Sequence, residues 1–92
     1  MKEAEWTLTN KLGLHARPAA QFVQLAASFK SQITISAGGK TAAAKSILGL
    51  LGLGARQGTT ITVTIDGDDE QEAMTAVEDF FRNLLAENEK RE

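Results

Sequence analysis

Four stretches of the chain are predicted to be strands, over residues 4–8, 33–37, 40–44 and 59–65. In the first, second and fourth, apolar and polar residues alternate, a pattern that predicts a strand with one buried face, and the third would be a short return strand. In the last of them, Ile61, Val63 and Ile65 alternate with threonines. The pair Gly38-Gly39 separates the second stretch from the third, and both central positions of a type I′ turn require positive φ. The middle two strands are therefore expected to form a hairpin.

Three other stretches have the spacing of helices. From Ala16, apolar residues recur at helical intervals and predict a helix to about Ser28. Ser46 is a suitable N-cap for a short helix through about Leu51, which the following glycines end. Asp69 and Glu72 have the spacing of a capping box, and the apolar stripe after them predicts a last helix to about Leu85. Residues 86–92 are expected to form a loosely ordered, solvated tail.

The predicted order is β-α-β-β-α-β-α. Because the strands alternate, one face of the sheet should be wet and the other covered by helices. This favours an α+β open-faced β-sandwich, with a four-stranded antiparallel sheet and three helices on one face. The 92 residues suit a single domain over 1–92.

Composition narrows the classes of function. The chain has no cysteine, so it offers no disulfide framework and no thiolate metal site. Its beginning has no apolar run like that of a signal peptide, and nothing approaches the roughly 20 apolar residues of a membrane span. A formal net charge of −2 argues against direct nucleic-acid binding. We expect a cytoplasmic protein, a monomer, with no membrane insertion.

The only histidine and the only proline lie three residues apart, at His15 and Pro18. Proline is tolerated in the first turn of a helix, which places the helix start at about His15 or Ala16. The N–H groups and positive dipole end of that turn, with the guanidinium of Arg17, would form an anion site beside the imidazole. A ring nitrogen there could accept a phosphoryl group. The alternative is a surface histidine without a chemical role.

Three segments carry a resemblance: GLHARPA (13–19), AKSILGL (44–50) and QGTTITVTIDGDDEQEA (57–73). Together they resemble the histidine-containing phosphocarrier (HPr) family of the bacterial phosphoenolpyruvate-dependent sugar phosphotransferase system. The resemblance implies that His15 receives phosphate on Nδ1 from phospho-enzyme I and passes it to enzyme IIA of a sugar permease. It implies that Arg17 and the backbone of Ala16 and Arg17 hold the phosphoryl group. It also implies a carrier, not an independent enzyme, with no cofactor and no metal.

Ser46 matches the second phosphorylation position of the same family. The resemblance implies a serine kinase/phosphorylase that modifies it in some bacteria, slower acceptance of phosphate at His15, and binding to a catabolite-control repressor. Phosphate at an N-cap is compatible with the helix, so its effect is expected on partner docking. The alternative is that Ser46 only caps the helix.

The segment after Ser46 contains more aliphatic residues than one short helix can bury on one side: Ile47, Leu48, Leu50, Leu51 and Leu53. Some of them should form an exposed apolar patch, a feature typical of partner surfaces. By resemblance, Ile47, Leu48 and Leu51 face the partner together with Ala20. Three cations, Arg17, Lys45 and Arg56, are candidates for steering acidic partners.

Other functions stay open. Within the family, the chain could serve the nitrogen-linked branch or feed a kinase-type acceptor. A regulatory binding module would use the apolar patch without phosphorylation of His15. A hydrolase with His15 as general base lacks a second histidine. The sequence does not predict the sugar, because specificity for it resides in the permeases.

Overall fold

The structure is a computed structural model that describes residues 1–90. It has the predicted order of elements. These are β1 (Lys2–Thr7), α1 (Ala16–Ala27), β2 (Gln32–Ala37), β3 (Lys40–Ala43), α2 (Ile47–Gly52), β4 (Thr60–Asp66) and α3 (Glu70–Lys90).

The four strands form one antiparallel sheet in the order β1-β4-β2-β3. One row across its inner face joins Ala4, Val63, Ile35 and Ala42, whereas the next row joins Glu5, Thr62, Ser36 and Thr41. Apolar and polar rows alternate because successive side chains of a strand point to opposite faces. The fold is an α+β open-faced sandwich, as predicted.

The helices cover the apolar face. α3 packs against β1 and β4, α2 packs against β3, and α1 contacts both other helices. Phe22 of α1 and Phe81 of α3 are fully buried, and Trp6 stacks on Phe81 with ring centroids 4.7 Å apart. Burying an aromatic or aliphatic side chain of this size contributes roughly 1.5–3 kcal/mol. The core therefore joins α1 and α3 to the sheet.

The hairpin turn has the predicted geometry. Gly38 and Gly39 have φ of 56° and 84°, and the adjoining residues Ala37 and Lys40 pair across the turn. A side chain would be strained at these φ values, which glycine adopts without cost.

The helix α3 begins after Asp69, but the predicted capping box is wrong, because the Asp69 carboxylate bonds to another part of the chain and not to Glu72. The Asp69 carboxylate accepts hydrogen bonds from the backbone N–H of Lys30 (2.8 Å), from the N–H of Ser31 (2.9 Å) and from the Ser31 hydroxyl. These bonds hold the pKa of Asp69 below its ordinary value, the Ser31 hydroxyl having the largest effect. Lys30 and Ser31 lie in the loop between α1 and β2, and the Asp69 carboxylate supplies acceptors for their N–H groups. It ties the end of α1 to the start of α3.

The last helix is longer than predicted. α3 continues to Lys90, past the expected end at Leu85, so residues 86–90 of the proposed tail are helical. Alanine, glutamate and lysine in this stretch are good helix formers, and no glycine or proline interrupts it. Residues 91–92 lie outside the described residues. No helix in the described part of the chain is long and apolar enough to cross a membrane.

Candidate functional site

His15 is the N-cap of α1. Its backbone is extended (φ −87°, ψ −171°), and its carbonyl accepts the N–H of Ala19 at 3.0 Å to begin the helix. Its side chain makes no capping hydrogen bond and is partly exposed. At many N-caps the side chain accepts a hydrogen bond from a backbone N–H of the first turn. The imidazole of His15 makes no such bond and is therefore available for chemistry.

The first turn of α1 directs backbone N–H groups toward the side of the helix that carries His15. Ala16 and Arg17 are its first two residues, and their N–H groups point along the axis toward the N-terminal end. Pro18 comes third and is buried, where its missing N–H costs no helical hydrogen bond. Both Ala16 and Arg17 are exposed, so a group bound beside His15 would also be reached by solvent.

The loop before His15 is fixed by its neighbours. Gly13 has φ of 62°, and its N–H donates to the Asn10 carbonyl at 3.2 Å. The Leu14 N–H donates to the Ala55 carbonyl at 2.9 Å, and Leu14 itself is buried in the core. The segment that carries Ala55 therefore supports the residues immediately before His15.

Arg56 is brought to this loop by the same contact. Its backbone lies against Gly13, because a Cβ on Gly13 would be 2.8 Å from the Arg56 Cα. The Arg56 N–H donates to the Thr59 hydroxyl at 3.1 Å, and its side chain is exposed. The structure thus places the Arg56 backbone beside the His15 loop, although 41 residues separate Arg56 from His15 in sequence.

Lys45 lies elsewhere. Its ammonium donates to the Phe29 carbonyl at 3.2 Å, just past the C-terminal end of α1. The 12 residues of α1 span about 18 Å, and His15 is at the opposite end. Of the three cations proposed to steer partners, Lys45 is therefore remote from His15.

The short helix α2 divides its aliphatic residues between core and surface. Leu50 and Leu53 are buried, whereas Leu48 and Leu51 are 79% and 40% exposed. Ile47 is partly buried against the core, so it offers less surface than Leu48. Ala20 is exposed on α1, which contacts α2. The exposed part, Leu48 and Leu51, is the apolar patch.

Ser46 has the predicted geometry of an N-cap. Its hydroxyl oxygen accepts the N–H of Gly49 at 3.1 Å, and the residue is exposed. The same oxygen that a kinase would modify is therefore the helix cap. A charge placed here would lie at the start of α2, two residues before Leu48.

Sequence reasoning missed two residues of the site. Leu12 is 65% exposed in the loop before His15, where an aliphatic residue would ordinarily be assigned to the core. Asn10 is buried, and its side-chain N–H donates to the Gly13 carbonyl at 2.8 Å. The only signal for Asn10 was its place in a glycine-containing loop, since asparagine side chains often bond to nearby backbone. Among the residues that the structure describes, no group of three or more metal-ligating side chains could hold an ion.

The site thus consists of a partly exposed histidine at the start of a helix, on an open-faced sandwich. A family model described as the PTS HPr component phosphorylation site matches residues 2–83. The phosphocarrier protein HPr of Xylella fastidiosa (strain Temecula1 / ATCC 700964) is 50% identical over 88 residues, covering 96% of this chain and 99% of its own. This chain belongs to the HPr family of the phosphotransferase system.

Solved structures agree with this assignment. HPr-C-His of Thermoanaerobacter tengcongensis has a TM-score of 0.86 and 45% identity, with 94% of this chain and 97% of that chain covered. The histidine-containing phosphocarrier protein of a mycoplasma has a TM-score of 0.88 and 34% identity, with 91% and 96% covered. Members of the family are phosphocarriers rather than independent catalysts, and this chain has that role.

Proposed function

We propose that His15 accepts a phosphoryl group from phospho-enzyme I and donates it to an enzyme IIA component of a sugar permease. The observation that carries this proposal is the state of His15, an N-cap whose side chain is partly exposed and makes no capping bond. A lone pair on Nδ1 attacks the phosphorus of the donor's phosphohistidine. The new N–P bond forms as the donor N–P bond breaks, and that electron pair returns to the donor ring. When each ring keeps the proton on its other nitrogen, no net proton moves.

The start of α1 stabilises the phosphoryl group once it is attached. The N–H groups of Ala16 and Arg17 and the positive end of the helix dipole face the added negative charge. The guanidinium of Arg17 can hold two phosphoryl oxygens at once. These donors are exposed, so they favour the phosphorylated state moderately. That suits a carrier, which must also give the group away.

Partner docking is assigned to the surface around this site. Leu48 and Leu51 supply exposed apolar area, and the exposed Ala20 and the partly exposed Ile47 would add to it. Arg17 and Arg56 would supply positive charge for acidic partners. Enzyme I and enzyme IIA would dock here in turn, because both must reach the same histidine. The exchange takes place in the cytoplasm, with the carrier as a monomer.

A reconstituted relay tests the proposal. Phosphoenolpyruvate carrying a labelled phosphoryl group is mixed with enzyme I, this chain and an enzyme IIA, and the label on enzyme IIA is followed. Label should reach enzyme IIA only when the wild-type chain is present, and the His15→Ala variant should not support it. The Arg17→Lys variant should transfer more slowly, because lysine keeps the charge and loses the bidentate fork.

The same relay separates the second candidate, a regulatory binding module that uses the apolar patch. Its support is the 79% exposure of Leu48, which any protein partner could use. If enzyme I labels a control carrier and leaves this chain unlabelled, the module replaces the carrier as the function. If several enzyme IIA proteins are compared, the acceptor that is labelled fastest identifies the sugar or the nitrogen-linked branch.

We further propose that Ser46 is a regulatory site modified by a serine kinase. Its support is an exposed hydroxyl at the N-cap of α2, two residues before the exposed Leu48. A phosphoryl group there would keep an oxygen for the Gly49 N–H and add negative charge beside the apolar patch. Docking of an acidic enzyme I would weaken, and a catabolite-control repressor could recognise the new charge.

A further inference from the structure

The peptide unit between Gly13 and Leu14 is held from both sides. Its carbonyl oxygen, on Gly13, accepts a hydrogen bond from Asn10 Nδ2 at 2.8 Å. Its N–H, on Leu14, donates to the Ala55 carbonyl at 2.9 Å. A peptide bonded at both ends cannot rotate about the adjacent φ and ψ without losing a hydrogen bond. The next residue is His15.

Asn10 is suited to this one orientation. The residue is 6% exposed, and the turn it makes with Gly13 is closed by a second bond from the Gly13 N–H to the Asn10 carbonyl. Rotating the amide by half a turn would place Oδ1 against the Gly13 carbonyl, oxygen facing oxygen, so the donor orientation is fixed. The amide of Asn10 therefore acts as a hydrogen-bond donor to the backbone of the loop that precedes His15.

We propose that Asn10 is a positioning residue for His15. Its side-chain amide holds the Gly13 carbonyl, the Gly13–Leu14 peptide then sets the backbone entering His15, and the imidazole is held at the start of α1. Asn10 touches neither the phosphoryl group nor the partner. The inference rests on the proposed function, since it concerns the rate at which His15 accepts the phosphoryl group. Removing the amide would let the ring sample unproductive orientations, and misplacement of a reacting group slows transfer steeply.

The test measures kcat and KM with this chain as the substrate of enzyme I. Asn10→Ala removes the amide, and Asn10→Asp keeps its shape while replacing the donor with an acceptor. The matched control is Ser31→Ala, because Ser31 is also buried and also loses a side-chain hydrogen bond, at the opposite end of α1. We expect both Asn10 variants to lower kcat by about tenfold with KM within about twofold of wild type. Ser31→Ala should leave both constants unchanged.

A second measurement excludes a general loss of folding. The chain has one histidine, so its ring resonances in an NMR spectrum belong to His15. In the Asn10 variants these resonances should shift or broaden, while those of Trp6, which packs against the core on Phe81, stay in place. If an Asn10→Ala chain does not fold, Asn10→Gln is measured, whose longer stem displaces the Gly13 carbonyl and should also lower kcat.

Two outcomes separate the possible failures. If the wild type and Ser31→Ala accept phosphate and the Asn10 variants do so at the same kcat, Asn10 does not position His15. If neither the wild type nor Ser31→Ala is phosphorylated by an active enzyme I, the proposed function itself fails.

Discussion

A Cβ on Gly13 would lie 2.5 Å from the carbonyl oxygen of Ala55, closer than any real contact of a methyl group with backbone. The loop that precedes His15 therefore fits against residues 55–56 only because position 13 has no side chain. Since φ of Gly13 is 62°, an L side chain would also be strained there whatever the space.

Gly13→Ala should therefore destabilise the protein by at least about 2 kcal/mol, because it combines a left-handed backbone with a backbone clash. Unfolding in urea, followed by the fluorescence of Trp6, measures this change. Gly52→Ala is the control: nothing lies within 4 Å of its added Cβ, and it is part of α2. That variant should be neutral or more stable by up to about 1 kcal/mol. Equal midpoints for the two variants would show that the loop does not depend on this contact.

Leu48 and Leu50 are on the same short helix with opposite surroundings. Leu50→Ala should cost about 2–5 kcal/mol of stability, because Leu50 is fully buried. Leu48→Ala should change stability by less than about 0.5 kcal/mol, because Leu48 is 79% exposed. The same Leu48 variant should lower kcat/KM with enzyme I at least about fivefold, through loss of an apolar anchor. Unchanged kinetics for Leu48→Ala would remove the apolar patch from the docking surface.

Ser46 can be tested with three substitutions. Ser46→Ala removes the cap and should cost about 1 kcal/mol, whereas Ser46→Asn keeps it. Ser46→Asp also keeps the cap and adds a negative charge, so it should match Ser46→Asn in stability and accept phosphate from enzyme I more slowly. Urea unfolding and initial rates of His15 phosphorylation measure the two effects. Regulation by charge at this site is contradicted if Ser46→Asp and Ser46→Asn are phosphorylated at the same rate.

The contact between Asp69 and Ser31 predicts a dependence of stability on pH. The pKa of Asp69 is lowered in the folded state, chiefly by the Ser31 hydroxyl and then by the Lys30 N–H. The stabilisation is therefore fully present above the unfolded pKa of about 3.9 and is lost as the pH falls through the lower, folded value. Asp69→Asn removes this titration. The urea midpoints of wild type and variant, compared from pH 7 down to about pH 2, should converge on acidification; a constant difference at every pH would contradict the assignment.

Local pattern was enough to predict the fold, because three of the four strands alternate apolar and polar residues and Gly38-Gly39 suits a tight hairpin. It was also enough to place His15 at the helix start, because a helix tolerates proline in its first turn and Pro18 therefore marks that turn. Contacts between distant residues could not be predicted. The carboxylate of Asp69 bonds to Ser31, 38 residues away, instead of its own helix.

The surface of α2 was predicted only in outline. A run of leucines shows that some must be exposed, but the separation of Leu48 from Leu50 depends on how α2 sits on β3 and α1. The position of Lys45 could not be predicted either. Its ammonium bonds to the Phe29 carbonyl, a contact that no sequence pattern indicates. The bonding partners of a long side chain depend on which elements pack beside it, so they follow from tertiary structure and not from local sequence.

The central claim is that His15 carries the phosphoryl group, and intact-mass spectrometry tests it most directly. The wild type and His15→Ala are each incubated with phosphoenolpyruvate and enzyme I, and their masses are compared before and after brief acid treatment. The account predicts one added phosphoryl group on the wild type, lost in acid, and none on the variant. An unlabelled wild type, with the same enzyme I active on a known carrier, would contradict it, as would equal labelling of the His15→Ala variant.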